Sequence, residues 1–266
     1  MSFTVLCPFT PAERGEEHDM QNTLRILLRS PHRARHSSST AQRPFFSAAN
    51  NIVLKPYGVL GTALDTSGNL RQVEEPPRDG VAFVDPAGLH CIQHLGPSGA
   101  GGASASIYRY LQIASDASFP SRVREAITEP MQAKAHLYSL SDQLKSLAGA
   151  NRSTARCIHC VGPDFSSAPI GRERAVELLA TAYTNVLLEF DEARSCSTLR
   201  ILPISGGAFA GPFQHEIGAL TRDALDVTCK ERLNKQLVQR LINRRLELCI
   251  FMEAELAQFA EAWRTP

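Results

Sequence analysis

Residues 201–212, ILPISGGAFAGP, join an apolar run to a loop that has almost no side chains. The run Ile201–Ile204 is typical of a buried strand. Backbone amides can surround an anion only where side chains keep clear, and glycine also allows the positive φ angles that such loops need. The pattern therefore predicts an anion site formed by Ser205, Gly206, Gly207, Ala208, Phe209 and Ala210.

A second stretch of small residues predicts the same chemistry. Gly99, Ala100, Gly101, Gly102 and Ala103 precede a run with helical apolar spacing, in which a helix begins near Ser104. The first turn of a helix supplies unpaired amides and a favourable dipole for an anion. A tight turn would explain either loop alone, whereas two such loops in one chain favour anion binding.

The elements around these loops alternate between strands and helices, which predicts a layered α/β domain over residues 50–266. Apolar runs predict strands at 50–60, 80–88, 134–140, 155–163, 201–204 and 244–252, and Gly and Pro bound those at 50–60, 80–88 and 155–163. Amphipathic spacing predicts helices at 103–114, 141–148, 170–193, 213–233 and 253–263.

Composition excludes some classes of function. Lys and Arg number 28 against 27 Asp and Glu, so no sequence-wide attraction to nucleic acid or membrane follows. No apolar stretch is long enough to cross a bilayer, and no membrane association is expected. The seven cysteines lie in apolar segments, which predicts reduced, buried thiols in an intracellular protein rather than a disulfide framework.

The N-terminal residues 1–49 form a separate basic extension. Residues 20–46 contain no acidic residue and are rich in Arg and Ser, as in a mitochondrial transit segment. The acidic residues before Met20 contradict that interpretation unless translation starts at Met20. The alternative is a disordered basic extension on a cytoplasmic or nuclear protein.

Four stretches, in this order, resemble a macro domain, the ADP-ribose-binding module. VAFVDPAG (81–88) stands where the family has a strand ending in V-N-A-A-N, and GAGGASASIYR (99–109) where it has G-G-G-V-D-x-A-I-H. IHCVGP (158–163) is similar to I-H-x-V-G-P, and residues 201–212 are similar to F-P-A-I-S-T-G-x-Y-G-Y-P. The family's adenine-binding Asp is not placed, with Asp65 and Asp79 as candidates.

The resemblance implies a three-layer α/β/α sandwich with a mixed, largely parallel sheet. It implies ADP-ribose as the ligand, free or attached to protein, and no cofactor. The two loops would hold the diphosphate, with Phe209 where the family usually has a Tyr whose ring packs on a ribose. Such a chain would act as a monomer or as part of an assembly.

The chain departs from the hydrolytic members of the family. The last Asn of V-N-A-A-N corresponds to Gly88 and the Asp of the glycine-rich stretch to Ser104, while the first Asn corresponds to Asp85 and the His to Tyr108. A glycine offers no side-chain hydrogen bond and a serine hydroxyl is no base at neutral pH. We therefore expect binding with little or no hydrolysis.

Two alternatives stay open at this point. Asp85 and Gly88 are expected among the ligand-binding residues. An ADP-ribosyl hydrolase or O-acetyl-ADP-ribose deacetylase with non-standard residues would in addition need a carboxylate such as Asp85 to reach the cleft. A degenerate macro domain used as a scaffold or RNA-binding part would need a blocked cleft, with the basic run 230–245 contacting RNA phosphates.

No metal site is expected. Cys157 and His159 would share one face of a strand while Cys160 points to the other, so the three cannot converge on one ion. His90, Cys91 and His94 lack an evident fourth ligand.

Overall fold

The strands assemble into a six-stranded sheet and a separate two-stranded hairpin. A computed structural model describes residues 51–140 and 154–264, all within one compact unit. The strands are β1 (Ile52–Lys55), β2 (Thr62–Leu64), β3 (Leu70–Gln72), β4 (Val81–Asp85), β5 (Ala133–Ser139), β6 (Thr154–Cys160), β7 (Thr198–Ile201) and β8 (Arg245–Cys249). The helices are α1 (Gly102–Leu111), α2 (Ser121–Ala126), α3 (Arg172–Glu192), α4 (Ile217–Val227), α5 (Lys235–Ile242) and α6 (Glu253–Arg264).

The main sheet has the strand order β1-β8-β7-β4-β6-β5. All neighbouring strands in it run parallel except β5, which pairs antiparallel with β6 at one edge. The hairpin β2–β3 is antiparallel. The predicted mixed, largely parallel sheet is confirmed.

Helices cover both faces of the main sheet. Alternate residues of β4 point to opposite sides, so that Ala82 and Val84 join one buried cluster and Phe83 joins another. The first cluster is completed by α3, α4, α5 and α6, and the second by α1 and α2. The architecture is the predicted three-layer α/β/α sandwich.

Several predicted elements have different limits. The strand expected at 201–204 ends at Ile201, because Pro203 has no N–H to donate to the ladder, and the Ile204 N–H donates instead to the Tyr183 hydroxyl at 3.0 Å. The helix expected from Ser104 already begins at Gly102. The hairpin β2–β3 and the short helix α2 were not predicted.

Other expectations are tested only in part. Six cysteines lie among the described residues, all of them free and five of them buried, as predicted. None of the helices described has the length and apolar character of a membrane span. The interpretations of residues 1–49 and the helix expected at 141–148 lie outside the described residues.

Candidate functional site

Three neighbouring parallel strands, β7, β4 and β6, end at the same edge of the sheet, and the loops that follow them meet there. The Ser205 hydroxyl donates to the Pro163 carbonyl at 2.6 Å. The Phe165 N–H donates to the Phe209 carbonyl at 3.0 Å. The loop after β7 is thus tied to the loop after β6 by hydrogen bonds that leave its other face open. Open α/β sheets usually bind ligands at this edge.

Two glycines allow this close approach. A Cβ on Gly162 would lie 2.5 Å from the Ser205 Oγ, and one on Gly211 would lie 2.4 Å from the Phe165 carbonyl oxygen. Gly211 also has a φ of 52°, in the region that favours glycine. These two glycines therefore serve loop packing rather than ligand contact.

Gly207 lies at the open face of the loop after β7. Both Gly207 and Ala208 are exposed, and a Cβ on Gly207 would meet no atom within 4 Å. The amides of Gly206 and Ala210 are used within the loop, donating to Pro203 O at 3.1 Å and Gly207 O at 2.9 Å. Within residues 51–140 and 154–264, no backbone acceptor pairs with the amides of residues 207–209. Gly206 and Ala210 thereby leave the predicted cluster of available amides, which keeps those of Ser205, Gly207, Ala208 and Phe209.

The ring of Phe209 lies beside the loop after β4. A Cβ on Gly88 would stand 3.7 Å from the Phe209 Cζ, at ordinary contact distance. The structure therefore brings together two residues that are far apart in the sequence and that were both predicted for the site. The half-buried ring also leaves its remaining surface free for a ligand.

The second predicted loop divides into a turn and a helix start. Gly99 belongs to a short 3₁₀ turn, Pro97–Gly99, and a Cβ on it would lie 2.6 Å from the Leu95 Cβ. The amides of Gly99 and Ala100 donate within that turn, to Gly96 O and Pro97 O. Gly99 and Ala100 therefore shape the loop.

The helix α1 begins directly after this turn. Its first hydrogen bond runs from the Ala105 N–H to the Gly101 carbonyl at 3.2 Å, so the amides of Gly102, Ala103 and Ser104 precede the intrahelical ladder. Cβ atoms on Gly101 and Gly102 would meet nothing within 4 Å. This helix start has the open, amide-rich character that anion binding requires.

Asp85 and Ser104 point away from this open face. The Asp85 carboxylate is 0% exposed and accepts hydrogen bonds from the Ser104 hydroxyl at 2.7 Å and the Tyr108 hydroxyl at 2.6 Å. It also bonds to His159 Nδ1 at 2.7 Å. The Asp85 side chain was expected to contact a ligand, but it does not reach the open face. Side chains alternate along β4, so that of Asp85 lies on the same buried side as Phe83.

One group of potential metal ligands lies in the described part of the chain, formed by Asp85, Cys157 and His159. The bonds to Ser104, Tyr108 and His159 already occupy the carboxylate. Burial raises the pKa of the Cys157 thiol well above its ordinary value. Cys160 packs on the opposite face of the sheet, as predicted. Hydrogen bonds thus account for the Asp85 and His159 side chains of this group.

The other candidate ligands do not form a site. His90 and His94 lie side by side with ring centroids 5.1 Å apart, and the Cys91 thiol donates to the Gly96 carbonyl at 3.2 Å. Of the two adenine-binding candidates, Asp65 closes its own hairpin turn by accepting from the amides of Ser67 and Asn69, and these bonds lower its pKa.

Sequence reasoning missed one aromatic residue at this edge. Phe251 follows β8, the neighbour of β7, and its side chain is 40% exposed beside Gly58, whose Cβ would lie 3.1 Å from its ring. No signal in the sequence indicated it, because the strand expected at 244–252 included Phe251, whereas β8 ends at Cys249.

The basic run 230–245 is divided among a π-helical turn (Thr228–Arg232), α5 and β8, and five of its basic side chains bond to acidic or carbonyl groups. Arg232 bonds to Glu177, Arg240 bonds to Asp191 at 2.7 Å, and Arg245 bonds to Glu247 at 2.6 Å. Lys230 pairs with Asp226, and the Arg244 guanidinium donates to carbonyl groups at the end of α3. These partners correct the expectation of one continuous basic helix face.

No protein-family model matches the chain, and no curated protein sequence matches it. Several solved structures do match the chain. A macrodomain of Oceanobacillus iheyensis with ADP is 17% identical, with a TM-score of 0.45, over 70% of this chain and 85% of that one. The macro domain of ganglioside induced differentiation associated protein 2 is 14% identical, with a TM-score of 0.42, over 83% and 88%.

A poly(ADP-ribose) glycohydrolase from Thermomonospora curvata is 13% identical, with a TM-score of 0.45, over 91% of this chain and 83% of that one. The resemblance to macro domains predicted from four sequence stretches is thus also found among solved structures.

Proposed function

We propose that the chain binds ADP-ribose, free or attached to protein, through the loop after β7 and the start of α1, with little or no hydrolysis. The observation that carries the proposal is the pair of open, amide-rich turns at one edge of a parallel sheet. Each turn contains glycines whose missing Cβ atoms leave open space rather than packing contacts, at Gly101 and Gly207.

The chemistry of a diphosphate fits this arrangement. Its oxygens need several donors at short range, and amides at a helix start and in a loop provide them without any charged side chain. The Phe209 ring beside Gly88 offers an apolar face for a sugar. We extend the proposal to Phe251, whose exposed ring would stack on the adenine base.

Weak hydrolysis follows from the groups that are missing from the open face. The hydrolytic alternative required a carboxylate in the cleft, whereas the Asp85 carboxylate is buried and accepts three hydrogen bonds. The Ser104 hydroxyl is turned toward Asp85 as well, so neither group is directed at a water molecule beside a ligand. These observations favour binding over turnover.

The scaffold or RNA-binding alternative has less support. It required a cleft filled by the protein's own side chains and a free basic surface. The space beside Gly101 and Gly207 is open, and Arg232, Arg240 and Arg245 are paired with acids.

One experiment separates binding from turnover. The purified chain is incubated with a mono-ADP-ribosylated protein, and both retention of that protein and release of free ADP-ribose are measured. We expect retention that free ADP-ribose competes away, with no release above the buffer control. Release at the rate of a hydrolytic macro domain would establish the enzymatic alternative, and retention that ADP-ribose does not compete away would contradict the proposed site.

A further inference from the structure

A chain of buried hydrogen bonds lies directly beneath the start of α1. Asp85 ends β4 and stands opposite His159 of β6 in the sheet register. His159 Nε2 lies 2.7 Å from the Tyr138 hydroxyl on β5, and Ser104 and Tyr108 reach Asp85 from α1. All five side chains are buried. This hydrogen-bond network therefore connects three strands, β4, β5 and β6, to α1, and the first amides of α1 form half of the proposed site.

The protons can be assigned from the donor and acceptor groups. Burial, together with the Asp85 charge, raises the pKa of Tyr108, and burial raises the pKa of Tyr138, so both phenols keep their protons. Tyr138 then donates to His159 Nε2, and the Nδ1–H of His159 donates to Asp85. With Ser104 and Tyr108 also donating, the Asp85 carboxylate accepts three hydrogen bonds.

Such a network is costly to build unless it is complete. A buried carboxylate is stable only when hydrogen bonds replace its water, and a fully satisfied network fixes the elements that contribute to it. The surrounding rings exclude water, since Phe119 packs against Tyr108 and His159 at centroid distances of 5.2 Å and 5.3 Å. Ser104 and Tyr108 stand four residues apart, so both bonds hold the same face of α1 against the sheet.

We infer that Asp85 is a positioning residue for the phosphate site: it holds the first turn of α1 through Ser104 and Tyr108, so that the amides of residues 102–104 are ordered before a diphosphate arrives. This inference rests on the proposed function. Its physical basis is preorganisation, because amides that are already fixed lose no further conformational entropy on binding. The Asp85 carboxylate itself never touches the ligand.

The test uses two variants that each remove one hydroxyl and keep the packing, Ser104→Ala and Tyr108→Phe. Each has a matched control on the same helix. Ser106→Ala removes an exposed hydroxyl, and Tyr110→Phe removes a hydroxyl that donates to the Pro77 carbonyl at 2.8 Å. ADP-ribose affinity and thermal stability are measured for all four variants and the parent.

We expect Ser104→Ala and Tyr108→Phe each to weaken ADP-ribose binding by about tenfold. This loss corresponds to the conformational entropy of about one backbone residue, which is already ordered in the parent and would have to become ordered on binding in the variants. The two controls should bind within twofold of the parent, even where Tyr110→Phe lowers the melting temperature. Asp85→Asn tests the acceptor directly, but the two hydroxyl variants keep the test decisive if it does not fold.

Melting temperatures that fall while affinity stays at the parent's value would give the network a structural role alone and overturn the inference, leaving the proposed function intact. A parent chain that does not bind ADP-ribose would overturn the proposed function itself, and the inference with it.

Discussion

Replacing Gly207 by glutamate should abolish ADP-ribose binding and leave the fold unchanged. A Cβ at this position meets no atom within 4 Å, the residue is exposed, and Gly207 is not among the glycines with positive φ. A substitution of this kind on the surface changes the free energy of unfolding by about 0.5 kcal/mol or less. The melting temperature should therefore move by no more than about 2 °C.

The loss of binding energy has two sources. The side chain would cover the amides of residues 207–209, and each hydrogen bond to a charged oxygen contributes about 1.5–3 kcal/mol. The carboxylate would also repel the diphosphate by about 1 kcal/mol at 4 Å in water. With two hydrogen bonds lost, the dissociation constant should rise by about a thousandfold or more.

Two further variants separate these effects in calorimetric titrations. Gly207→Gln has the same size without the charge, so it should bind more tightly than Gly207→Glu by an amount that shrinks as salt is added. Gln236→Glu adds the same charge on the exposed surface of α5 and should bind as the parent does. If Gly207→Glu bound ADP-ribose within threefold of the parent, the assignment of this loop to the phosphates would be refuted.

Three more predictions follow from the structure and the sequence. Ser104→Asp should destabilise the fold by about 3 kcal/mol or more in denaturant titrations, because it places a second carboxylate beside buried Asp85; adding Asp85→Asn should restore most of the loss. Asp191→Asn should lower stability by about 1–2 kcal/mol at neutral pH. The hydrogen bond from Arg240 lowers the pKa of Asp191, so this contribution to stability is full above the ordinary value of 3.8 and is lost as pH falls through the lower folded value. A stability difference that did not shrink as the pH was lowered below 3.8 would contradict it. Mass spectrometry of the cellular protein should find a mature N-terminus between about residues 35 and 50 if the 20–46 segment is a transit signal, whereas an intact Met1 would leave only a basic extension.

Much of the fold could be predicted from local pattern. Apolar runs stopped by Gly and Pro marked β4 and β6, an apolar run marked β8, and helical spacing marked α3, because each signal is contained in a few neighbouring residues. The hairpin β2–β3 gave no such signal, since both strands are only three residues long and all of β3 is exposed. Pro203 could have shown that β7 ends before Ile204.

The candidate site was predictable where it depends on backbone alone. The open glycines of both loops were identified because a residue without a side chain can be read directly from the sequence. The role of Asp85 was not, because its partners Ser104, Tyr108 and His159 lie 19, 23 and 74 residues away. The basic run was misjudged for the same reason, since Arg232 and Arg240 find their acids about 50 residues earlier.

The most direct test of the account is a calorimetric titration of the unmodified chain with ADP-ribose, with adenosine as the comparison ligand that lacks phosphate. We predict one site per chain with a dissociation constant in the micromolar range, about −8 kcal/mol, and binding to adenosine that is weaker by at least about a hundredfold. Equal affinity for the two ligands, or no heat with ADP-ribose, would contradict the claim that the two amide-rich loops form a diphosphate site.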